Sequence, residues 1–125
     1  MKDSIAHLVV ICQDWTRELS FYKSEIPFFK KRLEEIISKN SATDIQVQVE
    51  HFENKFRLLD IHFDELLHDV NLKKEALLSN AAEKPTYINI KMVETDDNLL
   101  DLVEVTMNDF SSTKKSFYQF LSKHL

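Results

Sequence analysis

The sequence predicts a single all-α domain over residues 1–125, an antiparallel bundle of three long helices. Two observations carry this. Apolar residues recur in alternating steps of three and four along most of the chain, the 3.5-residue period of helices packed along a seam. There is no glycine, and there are only two prolines in 125 residues. The tight turns of a hairpin-rich β protein therefore have few residues to make them.

The first helix follows Leu8, Cys12, Trp15, Leu19, Tyr22, Ile26, Phe29, Leu33 and Ile36 without an error in phase. Asn40 can end it in the left-handed cap that glycine would otherwise take. Thr43 and Gln46 have capping-box spacing for the second helix. That helix follows Ile45, Val49, Phe52, Phe56, Leu59, Phe63, Leu66 and Val70, then loosens through Lys73 to Leu77. The stretch SNAAEKPT (79–86) ends it, with Pro85 as the stop. The third helix gives Leu100, Val103, Met107, Phe110, Lys114, Phe117 and Leu121, with one polar lapse at Lys114, and Asp96 is a good cap for its main part. Each helix should run about 30 to 38 residues, or roughly 45 to 55 Å at 1.5 Å per residue. Short connections make neighbouring helices antiparallel.

Two segments oppose the pattern. Pro27 lies inside the first helix, where a proline costs about 3 kcal/mol. Either the chain reverses at Ser24, making four helices, or the helix kinks and continues. Leu19, Tyr22, Ile26 and Phe29 keep phase through the proline, and no residues are spare for a loop, so a kinked continuous helix is expected. Residues 86–94 (TYINIKMV and its neighbour) and IQVQV (45–49) alternate apolar and polar residues as strands do. A lone two-stranded ribbon is marginal in water, so helix is preferred for both, with 86–94 the more ambiguous.

Composition excludes several function classes. Without glycine, no P-loop and no dinucleotide-binding fingerprint can be written. The net charge is −5, whereas nucleic-acid binding needs a basic face. The clusters Lys30-Lys31-Arg32, Lys73-Lys74 and Lys114-Lys115 read as solvated helix faces. Cys12 is the only cysteine, so no intramolecular disulfide forms, which fits a reducing cytoplasm. The apolar run Leu8–Cys12 is too short for a signal peptide or a membrane span. A soluble, unprocessed, cytoplasmic protein without nucleic-acid or membrane partners is expected.

The stretch VEHFENKFRLLDIHFDELLHD (49–69) holds three histidines and six carboxylates. On the second helix's register, His62 and Asp69 lie on one flank of the seam, about 10.5 Å apart along the axis. His51 and Glu65 lie mostly outward, and His68 points away from the core. Glu65 and His68 match the Glu-x-x-His element of di-iron bundles, but those bundles need two inward-facing copies and two further glutamates. A ferritin- or hemerythrin-like metal bundle using His62, Glu65, His68 and Asp69 is thus the competing class, with surface residues preferred. Cys12 falls on a core position beside Trp15, where a thiol behaves as a small hydrophobe. A Cys12–His62 dyad has nothing to specify it. No catalytic residue, cofactor site or metal site is expected, and the chain is read as non-enzymatic.

The seam does not use up the apolar residues. Phe21 and Phe28 share a face well off the core stripe of the first helix. Leu58, Ile61 and Leu72 do the same on the second, and Leu102 and Val105 on the third. Such residues either widen the core or meet a partner. The second alternative points to a homodimer or another protein, with Phe21, Phe28, Leu58 and Ile61 as the interface. The aromatic residues of the first helix could instead line a small-molecule pocket between helices, but aromatic stripes at this spacing are more often core.

ELSFYKSEIPFFKKRLEEI and VEHFENKFRLLDIHFDELLHD together resemble small all-helical bacterial proteins of unknown function. The likeness implies a bacterial cytoplasmic setting and no activity. The long-helix pattern is also similar, in architecture alone, to spectrin-type three-helix repeats. The expected function is a structural or protein-interaction module that self-associates.

Overall fold

The structure, a computed structural model, describes residues 5–81 and 85–124, with side-chain surroundings for 5–79 and 98–124. The described residues form three helices and no strand: α1 (Ile5–Lys39), α2 (Thr43–Ala81) and α3 (Pro85–His124). None is long and apolar enough to cross a membrane. The expected three-helix bundle is what the chain forms.

α1 runs unbroken through Pro27, so the four-helix alternative does not occur. The proline is exposed, and Ile26 and Phe29 on either side of it are buried. Its ring meets water while the apolar phase continues underneath. The Ser24 hydroxyl donates to the Phe21 carbonyl at 2.6 Å and occupies one acceptor in the preceding turn. At the end of α1, the Asn40 side-chain amide donates to the Ile36 carbonyl at 2.8 Å. This satisfies one of the carbonyls that every helix C-terminus leaves open.

Three expectations about element ends and register are corrected. The Gln46 N–H donates to the Ala42 carbonyl at 3.1 Å, which places Ala42 at the cap of α2 and Thr43 at the first helical position. Alanine has no side-chain oxygen to cap with and Ile45 stands at the third helical position, so the expected capping box of Thr43 and Gln46 does not form. α3 begins at Pro85, not near Asp96, and takes in residues 86–94 as helix. Proline suits the first helical position because its fixed φ is helical and its missing N–H would have no partner there. No glycine or proline interrupts the chain between Pro85 and Asp96, so nothing stops the helix starting early. Residues 82–84 of the α2–α3 connection lie outside the described residues. In IQVQV, Val49 is buried and Val47 exposed, a helical rather than a pleated alternation.

The third correction concerns the core line of α3. Among its described side chains, the buried ones are Leu99, Val103, Phe110, Thr113, Phe117 and Phe120. Leu100, Met107 and Leu121, expected on the seam, are only partly buried and pack against its edge. Thr113 rather than Lys114 takes the inner position, with its hydroxyl donating to the Asp109 carbonyl at 2.8 Å. This internal bond removes the cost of burying the oxygen. α1 and α2 follow the expected seams more closely: Leu19, Ile26, Leu33, Phe56, Phe63 and Val70 are almost wholly buried, while Tyr22 and Ile45 are partly buried at the edge.

The middle of the bundle is a layer of phenylalanines from all three helices. Phe29 of α1 lies 5.2 Å from Phe56 of α2 and 5.1 Å from Phe117 of α3, centroid to centroid. Phe56 and Phe117 meet edge to face at 5.2 Å. Two turns away, Tyr22 stacks on Phe110 at 4.9 Å, and Phe63 meets Phe110 at 5.4 Å. Tilted and edge contacts at these separations add about 0.5–1.5 kcal/mol per pair beyond the burial itself.

Candidate functional site

The heptad fixes which flank of each helix meets which neighbour, and the ion pairs of three lysines mark the contacts. Lys23 of α1 reaches Asp60 of α2 at 2.7 Å and Asp64 at 3.1 Å. Lys55 of α2 reaches Asp109 of α3 at 2.8 Å. Lys114 of α3 reaches Glu25 of α1 at 2.8 Å and lies over the Phe29 and Tyr118 rings. Hydrogen bonding to Glu25 holds the Lys114 ammonium above its ordinary 10.5, against partial burial that pulls it down. Hydrogen bonding to Asp60 acts likewise on Lys23, again opposed by burial and helped by Asp64. These pairs seal the edges of the aromatic layer.

The two phenylalanines set apart by the sequence stand on the outer side of α1. Phe21 is 58% exposed and Phe28 is 71% exposed. Both lie seven residues apart on one stripe, on the side of α1 that carries Glu25 and hence faces α3. Leu58 and Ile61 of α2 are also exposed, at 39% and 44%. Leu58 shares its stripe with Glu65, seven residues on, and Glu65 lines the cleft between α2 and α3. The four residues therefore do not form one patch. Phe21 and Phe28 make a ridge beside the α1–α3 groove, while Leu58 and Ile61 stand on another flank of the bundle.

The α2–α3 cleft is an open groove of about 830 Å³. His62, Glu65, His68 and Asp69 all line it, with Leu102 and Val105 of α3 opposite. The four are exposed. His68 Nδ1 lies 3.5 Å from an Asp69 carboxylate oxygen, with both side chains more than half exposed. Among the described residues, no three histidine, cysteine or carboxylate side chains come together as a metal site. His51 is exposed and leans its ring on Phe52, 5.3 Å away. Cys12 is buried in the core, whereas His62 sits in the open cleft.

No family model, no curated protein and no solved structure matches the chain. The surface is what bears on function.

Proposed function

We propose that the chain is a non-enzymatic interaction module that self-associates, with the Phe21/Phe28 ridge as its main contact. The exposure of two large aromatic residues on one helical stripe supports this most directly. Each leaves on the order of 100 Å² of ring surface in water, given the 150–250 Å² that a phenylalanine buries when enclosed. Residues of that size on a rigid helix are what interfaces use as anchors. Leu58 and Ile61, on their separate flank, serve as a second and smaller contact. The compartment that fits is a reducing cytoplasm, because the one cysteine is buried in the core and forms no disulfide.

Sedimentation of the double variant Phe21→Gln/Phe28→Gln tests the proposal. A fall from dimer to monomer with unchanged helix content is expected. If mass and stability both stay as in the wild type, the ridge is not an interface. Leu58→Gln/Ile61→Gln separates the second flank, and a smaller loss of association is expected from it.

A further inference from the structure

The α2–α3 groove is a surface separate from the ridge, and we infer that it receives a basic amphipathic helix of another protein. The groove has a local cause. The core line of α3 steps through Leu99, Val103, Thr106, Phe110, Thr113 and Phe117, and Thr106 is too small to close the gap to α2. It is half-buried and lines the groove together with Leu66, which is buried. Leu102 and Val105 also line it, and each is more than half exposed. Aliphatic side chains left in water along a groove between helices are what an amphipathic helix covers with its own apolar face.

The charge of the walls has one sign. Residues 58–72 of α2 carry Asp60, Asp64, Glu65 and Asp69, and residues 98–113 of α3 carry Asp101, Glu104 and Asp109. Neither segment has a lysine or an arginine. Lys23 and Lys55, neither of which lines the groove, hold Asp64 and Asp109. Glu65 makes no ion pair among the described residues, and Asp69 has His68 at 3.5 Å. Lysines and arginines flanking the apolar stripe of the occupant complement these walls. The same carboxylates repel nucleic acid and anionic lipid. The lining runs from His62 to Asp69 and from Leu102 to Asp109, roughly 10 Å at 1.5 Å per residue, so it engages about two turns of the occupant. The groove is open, whereas a small-molecule site encloses most of its ligand. A contact of this length binds weakly, and the charges act mainly on selectivity and on-rate.

A peptide with leucine on one helical face and lysine on the other tests this. It is titrated into the dilute, isotope-labelled full chain, in mildly alkaline buffer where histidine is neutral. The amide resonances of residues 62–69 and 102–109 are expected to shift together and saturate. A peptide with glutamate in place of lysine, and one of the same composition in scrambled order, should each bind about tenfold more weakly. Leu102→Gln/Val105→Gln and Glu65→Lys/Asp69→Lys change exposed residues, so helix content should hold, and each should weaken binding about tenfold. Shifts centred on Phe21 and Phe28 overturn the proposal. So does binding of the scrambled peptide as tight as that of the ordered one, or binding by both variants at wild-type strength. A loss of self-association in Leu102→Gln/Val105→Gln also overturns it, because the groove would then belong to a second copy of the chain.

Discussion

Phe28 and Phe29 are neighbours in the chain with opposite surroundings, and substituting each in turn tests the register of α1. Phe29 is 6% exposed and Phe28 is 71% exposed. The Phe29 ring contacts Phe56 at 5.2 Å, Phe117 at 5.1 Å and Phe110 at 6.2 Å, and it meets Tyr118 edge-on at 5.9 Å. Phe29→Ala removes this ring from the junction of all three helices. The expected cost is about 4 kcal/mol, from lost burial, the cavity left behind and the lost aromatic contacts. Phe28→Ala removes a ring that is mostly in water. In dilute solution its effect on folding should stay within about 0.5 kcal/mol. Urea unfolding followed by circular dichroism measures both, provided the slopes agree so that the midpoints can be compared. The assay belongs at low protein concentration, where dimer formation adds nothing to stability. Equal losses for the two variants would refute the register and, with it, the ridge.

Pro27→Ala restores an N–H in the middle of α1 and removes an exposed ring. It should raise stability by about 1–3 kcal/mol, visible as a higher melting temperature. Lys114→Met leaves Glu25 without its 2.8 Å partner and should cost about 1–2 kcal/mol at neutral pH. The folded-state pKa of Lys114 is raised above 10.5, so this stabilisation is complete below about that pH and is lost as pH rises through the folded value. Melting temperatures of wild type and variant should therefore converge above pH 10.5, and a constant gap would contradict the ion pair. Asn40→Ala removes the donor to the Ile36 carbonyl and should lower stability by about 0.5–1 kcal/mol, read from the urea midpoint.

Helices α1 and α2 are readable because almost every inward position is a large apolar residue, Lys73 near the end of α2 being the buried exception. Along part of the third helix the apolar period points one residue off the true core line, and the reason lies in its composition. Leu99 and Leu100 are both apolar, as are Phe120 and Leu121. The period alone does not decide which of each pair points to the axis. Around Lys114 the apolar choice was absent altogether. The structure solves it with a buried threonine that bonds to its own helix and a lysine drawn out to Glu25. That ion pair joins residues 89 apart in sequence, so no local pattern announces it. The early start of α3 was hidden by an alternating stretch that suits strand and helix equally. Within the candidate site, the outward position of Phe21 and Phe28 followed directly from the heptad. The separation of the ridge from Leu58 and Ile61 did not, because it depends on which flank of α1 and of α2 faces α3.

The measurement that tests the central claim most directly is the light-scattering mass of the wild-type chain over a concentration series, with elemental metal analysis of the same sample. A mass rising from monomer towards dimer, without stoichiometric metal, is the predicted result. A mass fixed at 14.8 kDa at every concentration would contradict self-association. A sample carrying a transition metal in whole-number ratio to the chain would contradict the account of the α2–α3 cleft, and His62, Glu65, His68 and Asp69 would be the ligands to test first.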